Sequence, residues 1–316
     1  MKKVNAIYFE ELKFHKQNLY LIKKKFNVLI LKNPSFLNAS HFKNVEVLFT
    51  PFSLKVNKIL IQKCEKLKVV ISNTTSIPHI DENSCKKSDI YISALHNDKI
   101  FLKKITPTIE HTVGLILSGY RNVLDSFNDV KNNNWCRWRF SSPKMLSKLQ
   151  IGILGYGRIG QGVAKVCKSL GMQVKWYDPH KRGGERSLTN FAKFCDILSI
   201  NASNNKNNKH IINEKFIKLM PKRSMIVNTA RGELLKINDA LKFLKNGHLK
   251  CVATDTLEGE FDLNFNFKTY YPDLFSYVKK NNDFIITPHI GGSTEDAWYS
   301  TQLRVIEKAI KKLEVK

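Results

Sequence analysis

Three stretches of the chain place a chemically useful side chain just beyond a run of apolar and β-branched residues. "MIVNTARGELL" (225–235) carries Arg231, "CVATDTLEGE" (251–260) carries Asp255 and Glu260, and "IITPHIGG" (285–292) carries His289. A guanidinium, a carboxylate and an imidazole together can polarise an oxygen and move a proton onto it. The planar arginine fork can hold a carboxylate through two parallel hydrogen bonds. Histidine takes and returns a proton near neutral pH, and a neighbouring carboxylate favours its charged form. Singly, each residue has a plain reading: a surface arginine, a loop charge, a histidine at a strand end. Their order, and their shared place after strand ends, favours the chemical reading.

A fourth stretch supplies a nucleotide site. "LQIGILGYGRIGQGVAKVCKSLGMQVKWYDPH" holds Gly155-Tyr156-Gly157-Arg158-Ile159-Gly160 between an apolar strand and a helix, and Asp178 follows at the end of the next strand. The first glycine makes the tight turn, the second lets backbone approach a pyrophosphate, and the third lets helix and strand pack closely. The helix start offers unpaired N–H groups and a positive dipole end to phosphates, and Arg158 adds a charge there. Asp178 is placed to accept from the adenosine ribose hydroxyls, and a carboxylate there repels a 2′-phosphate, so NAD is favoured over NADP. Lys181 and Arg182 lie close by and weaken that preference.

These groups need a scaffold of strands and helices. Strands are expected at 27–32, 45–50, 66–72 and 89–95, with a helix over 56–67, which suggests a parallel doubly wound sheet. "ITPTIEHTVGLILSGYRNVL" (105–124) reads as one long helix, with Thr106 as N-cap and Pro107 at its first position. From Leu149 a second series alternates strands (149–154, 173–177, 195–200, 224–228, 249–254, 284–287) with helices (158–170, 187–194, 213–220, 237–245). A final helix, about 293–313, starts at a Ser293 cap and returns to the first unit. The fold class is α/β with two domains: 1–101 with 293–316, and 102–292.

Composition narrows the function. At 316 residues the chain has room for two domains. Its net charge of +25 comes from lysines scattered along the whole length, with nine arginines among 52 basic residues. Base and phosphate readers concentrate arginine on one face, so no nucleic-acid partner is expected, while a small anionic substrate would be attracted. The six cysteines show no metal spacing, so no metal is expected and the thiols read as reduced. No signal-peptide core or membrane-length apolar run occurs, so a cytoplasmic protein with no membrane partner is expected.

Taken in order, the Gly155–Gly160 turn with Asp178, the NTARG, the DTLEGE and the PHIGG resemble the NAD-dependent D-isomer-specific 2-hydroxyacid dehydrogenases, over about 105–300. "NTTSIPHID" (73–81) and "TPTIEHT" extend the likeness more faintly. The resemblance implies a Rossmann-type NAD-binding domain and a flavodoxin-like substrate domain, with the active site in the cleft between them. It implies hydride transfer between NAD(H) and a small 2-oxo or 2-hydroxy acid. Arg231 would hold the substrate carboxylate and polarise the carbonyl, His289 would be the acid–base, and Glu260 would pair with it. Asp255 would lie near the nicotinamide carboxamide. Ala202, Thr229, Ala230 and Arg231 would line the cofactor, and His289, Gly291 and Gly292 would close over the nicotinamide ring. Thr75, Ser76 and Ile77 would meet the substrate, although Ser76 replaces a customary glycine and Pro78 offers no N–H. A homodimer is implied, with 132–140 ("NNNWCRWRF") as a candidate contact. Some relatives act as NAD(H)-sensing corepressors on the same fold, which is the alternative reading.

Overall fold

The computed structural model describes residues 3–140, 143–262 and 264–314. The chain forms two compact units, Met1–Ile105 with Ser293–Lys316, and Thr106–Gly292.

The first unit is built on β1 (Asn5–Phe9), β2 (Asn27–Leu31), β3 (Val47–Phe49), β4 (Val69–Ile71) and β5 (Tyr91–Ser93). They form one sheet in the order β2-β1-β3-β4-β5, every pair parallel. β1 escaped the sequence reading, although its buried "AIYF" lies inside the sheet, between β2 and β3. The expected strands are shorter than their apolar runs, and the expected helix at 56–67 is confined to Lys58–Lys63 with Asn57 capping it. Parallel strands bury both faces, and two apolar layers cover them: Phe14, Ile22, Phe26 and Val305 on one side, Ile61, Cys64, Ile80 and Cys85 on the other. The last helix, Glu295–Glu314, belongs to this unit. Val305 and Ile306 are fully buried, Ser93 Oγ donates to the Val305 carbonyl at 2.6 Å, and Arg304 Nε meets Asp98 Oδ2 at 2.7 Å. Its cap is Thr294 rather than Ser293: Thr294 Oγ1 accepts from the Ala297 N–H.

The second unit carries β6 (Gln150–Leu154), β7 (Gln173–Tyr177), β8 (Ile197–Ile200), β9 (Ser224–Asn228), β10 (Leu249–Thr254) and β11 (Phe284–Ile286). Their order is β11-β10-β9-β8-β6-β7, again all parallel. The chain starts at β6, steps outward to β7, then crosses back to β8. The topological switch point therefore lies between β6 and β8, where open α/β sheets bind ligands at the strands' C-terminal ends. The expected single helix over 105–124 is two helices, Pro107–Tyr120 and Val123–Lys131. Asn122 breaks it with a left-handed backbone, φ 55°, a conformation asparagine tolerates better than most residues. Pro107 does occupy the first helical position.

Candidate active site

The glycine turn sits at the switch point. Gly155 has φ +86°, and a Cβ there would come within 2.5 Å of the Ala202 backbone, which follows β8. The turn and the Ala202 segment thus close over the crevice edge, and only glycine fits. Gly160 is needed for close packing, since its Cβ would meet the Gly155 carbonyl at 2.1 Å. Gly157 differs: no protein atom lies within 4 Å of where its Cβ would be. Packing does not require this glycine, whereas a phosphate lying over the turn would. Gly157 provides no side-chain cap to the helix Arg158–Ser169, and a helix start is where backbone N–H groups and the positive dipole end suit a phosphate. Ile159 is half-buried beside them, and burial lowers the pKa of the Arg158 guanidinium. At the end of β7, Asp178 accepts from the Tyr156 N–H at 2.9 Å and the His180 N–H at 3.0 Å. Its carboxylate is thereby tied to the turn it serves. Tyr156 stacks on Trp176, ring centroids 4.4 Å apart. A dinucleotide fits these groups.

The acid–base candidates lie on three neighbouring strands. Asn228, Thr254 and Ile286 are side by side across β9, β10 and β11. Arg231 comes three residues after the first, Asp255 one after the second, and His289 three after the third. One sheet edge therefore presents all of them.

Asn228 shapes the arginine turn. Its buried side chain accepts from the Ala230 N–H at 3.1 Å and donates to the Arg231 carbonyl at 2.9 Å. Thr229 Oγ1 is 2.6 Å from Thr112 Oγ1. Arg231 gives one N–H to the Ala230 carbonyl, at 2.7 Å. Among the described residues it pairs with no carboxylate, so most of its fork remains for an anion.

His289 Nδ1 lies 2.9 Å from Glu260 Oε1, with Glu260 largely shielded. The carboxylate approaches off the line of the ring N–H, so the contact is a close pairing of groups rather than a straight hydrogen bond. Ligand-free sites often show such loose geometry. The Phe261 ring packs 5.5 Å from the imidazole. A cavity of about 640 Å³ opens beside the pair, with Phe261, Phe265, Phe267 and Val278 among its walls and, among the described residues, no lysine or arginine.

The backbone of His289 is left-handed, φ 53°, which costs about 1 kcal/mol or more in a residue with a Cβ. Asp255 holds it there. The Asp255 carboxylate, 2% exposed, accepts from Thr287 Oγ1 (2.5 Å), the Ile290 N–H (2.9 Å) and the Gly291 N–H (2.7 Å). Its carbonyl accepts from the His289 N–H at 2.9 Å. Hydrogen bonds to a charged group contribute about 1.5–3 kcal/mol each, enough to hold the strained turn. Gly291 is buried by this clamp and Gly292 is exposed beyond it.

Sequence reasoning missed a second histidine–carboxylate pair on the same loop. His210 Nε2 lies 2.7 Å from Glu258 Oε2, and Lys209 Nζ lies 2.6 Å from Oε1; the hydrogen bonds from these two hold the Glu258 pKa down against its partial burial. Only the alternation in "LEGE" hinted at two working carboxylates.

The expected substrate loop lies in the other unit, after β4. Thr75 is exposed, Ser76 half-buried and Ile77 buried. Thr74 Oγ1 donates to the Ser76 carbonyl at 2.8 Å. Among the described residues the N–H groups of Thr75, Ser76 and Ile77 have no acceptor. Ser76 is not among the positive-φ residues, so replacing glycine causes no backbone strain.

Residues 113–291 match the family model for the D-isomer specific 2-hydroxyacid dehydrogenase, NAD binding domain. The chain belongs to the D-isomer specific 2-hydroxyacid dehydrogenases. Its second unit is thus an NAD-binding domain, and NAD is the cofactor. The chain is 31% identical over 281 residues to a D-3-phosphoglycerate dehydrogenase of Methanocaldococcus jannaschii, covering 86% of this chain and 50% of that protein. It is 27% identical over 295 residues to a glyoxylate reductase of Thermococcus litoralis, covering 88% and 84%. The chain thus spans about half the length of the first relative and most of the second. A D-lactate dehydrogenase from Aquifex aeolicus, solved with NAD and lactic acid, shares the fold at 24% identity and TM-score 0.81, covering 98% and 94%. Among the described residues no helix is long and apolar enough to cross a membrane, and no group of three or more His, Cys, Asp or Glu could hold a metal.

Proposed function

We propose that this dehydrogenase-family chain interconverts a small 2-oxo acid and the corresponding D-2-hydroxy acid. The observation that carries this reading is the 2.9 Å approach of His289 Nδ1 and Glu260 Oε1 at the edge that also presents Arg231. NADH, when bound, supplies the hydride. Arg231 binds the substrate carboxylate and draws charge from the 2-oxo oxygen with its free N–H groups. With Nδ1 turned to Glu260, Nε2 is the nitrogen left to serve substrate. His289 donates its Nε2 proton to that oxygen during reduction, and takes it back during oxidation. Glu260 holds the ring in orientation and stabilises its charged form. In the first unit, the N–H groups of Thr75, Ser76 and Ile77, which meet no acceptor among the described residues, suit a carboxylate. Asp178, Gly155–Gly160, Ala202, Thr229, Ala230, Gly291 and Gly292 hold the cofactor, with Asp255 at its nicotinamide end.

Among the described residues, no lysine or arginine lines the aromatic cavity beside the acid–base pair. That supports an acid with an uncharged side chain over a phosphorylated one. A steady-state assay of NADH oxidation tests this against glyoxylate, pyruvate, hydroxypyruvate, phenylpyruvate and phosphohydroxypyruvate. Turnover of at least one of the first four, with a D product and poor use of the last, is the expected result. Tight NADH binding with no turnover of any acid would favour a nucleotide-sensing role instead.

A homodimer is the assembly this reading favours. Phe127 and Val130 on helix Val123–Lys131 are exposed, as are Trp135 (90%) and Trp138 (72%). Apolar surface of that kind marks an interface, and a second copy is its occupant. Sedimentation should give twice the chain mass, and replacing Trp135 by serine should weaken the dimer.

A further inference from the structure

The clamp on the His289 turn extends past Asp255 to a residue of the helix Pro107–Tyr120, whose chemistry the proposed mechanism does not use. His111 Nε2 lies 3.0 Å from Thr287 Oγ1 and 3.3 Å from Asp255 Oδ1. Thr287 has one hydroxyl proton, and it goes to Asp255 Oδ1 at 2.5 Å. Thr287 Oγ1 can therefore only accept from His111, so Nε2 is the protonated ring nitrogen. A directed chain results: His111 Nε2–H to Thr287 O–H to the Asp255 carboxylate. That carboxylate takes the Ile290 and Gly291 N–H groups, and the Asp255 carbonyl takes the His289 N–H.

The place of this chain in the sequence gives it meaning. His111 stands six residues after Ile105, where the chain leaves the first unit, and the clamped turn ends at Gly292, where it returns. A Cβ on Gly292 would lie 3.8 Å from Thr108 Oγ1, so the two crossing segments run side by side within the second unit. His111 ties the first crossing to the turn that bears His289.

We infer that His111 is a positioning residue for catalysis: its Nε2–H orients the Thr287 hydroxyl and completes the donor set of Asp255, which fixes the left-handed turn at His289. The inference rests on the reading of His289 as the proton donor, but it makes a claim about the turn that stands without turnover. His111 is half-buried on a helix face and touches neither of the paired groups His289 and Glu260 through any bond seen here. Its removal should leave nucleotide binding intact and misplace the acid.

Two variants separate this from a bulk structural role. His111→Leu removes the donor, while His111→Gln keeps an N–H near the Nε2 position. For His111→Leu, kcat with the preferred 2-oxo acid should fall about tenfold or more while NADH Kd and the acid's KM stay within about threefold. His111→Gln should recover most of that kcat. Amide hydrogen exchange on NADH-bound protein should show Ile290 and Gly291 opening about tenfold faster in His111→Leu, with wild-type rates in His111→Gln. The exchange readout holds even if the wild type turns over none of the acids, so failure of the functional reading and failure of this inference are distinguishable. Unchanged exchange at Ile290 and Gly291 in His111→Leu would overturn the inference. Equal loss of kcat in both variants would overturn it as well.

Discussion

Glu260 Oε1 stands 2.9 Å from His289 Nδ1, and the two residues come from loops after adjacent strands, β10 and β11. The carboxylate is 14% exposed and the imidazole 35%, so the pair is shielded on the Glu260 side and open on the other. That asymmetry leaves one imidazole nitrogen committed to orientation and one available to substrate. Glu260→Gln keeps the shape of the side chain and removes its charge. It should lower kcat about 10- to 100-fold with NADH affinity unchanged, less than the loss expected when the acid–base itself is removed. Equal kcat in wild type and Glu260→Gln would show that the carboxylate is a bystander.

Arg231 spends one N–H on the Ala230 carbonyl and keeps the rest of its fork. A lysine carries the same charge without the planar fork. Arg231→Lys should raise the KM for the 2-oxo acid about tenfold or more and lower kcat, while NADH Kd changes less than about threefold. Steady-state kinetics with a fluorescence titration of NADH would check this. A KM left at the wild-type value would remove Arg231 from the substrate site.

His79 offers a stability test in the first unit. Its ring is 7% exposed, and Nε2 sits 3.3 Å from Thr50 Oγ1, whose own proton goes to the Ile71 carbonyl. Nε2 must then be the donor, and Nδ1 is buried without a partner. Burial pushes the imidazole down from 6.5 to about 4. Between those values the unfolded chain holds a proton that the folded chain refuses, so stability falls as pH drops through the window. The full loss is about 3 kcal/mol. Urea unfolding at pH 6.5 and pH 4 should show a loss in the wild type that exceeds the loss in His79→Leu by about that amount. Parallel losses would mean that His79 accepts a proton in place.

Much of this was legible in the sequence, because short motifs state local physics. The glycine spacing encodes a turn that only glycine can make, and Gly155 and Gly160 make it. β7, β9 and β10 are bounded where their apolar runs end. What could not be read depends on contacts distant in sequence. The strand β1 hides in a short run beside two glutamates. Asn122 breaks a helix whose apolar period continues across it. Nothing in "TPTIEHT" says that His111 reaches Thr287, 176 residues on. Asp255 read as a residue near the nicotinamide; that its carboxylate also shapes the His289 turn shows only in its hydrogen bonds.

The central claim is that His289 moves the proton and that nucleotide affinity depends little on it. The most direct measurement is single-turnover NADH oxidation by His289→Asn beside the wild type, with NADH Kd determined on the same samples. The account predicts a rate at least about a hundredfold slower at unchanged Kd. A rate equal to the wild type would contradict it, as would a loss explained wholly by weaker NADH binding.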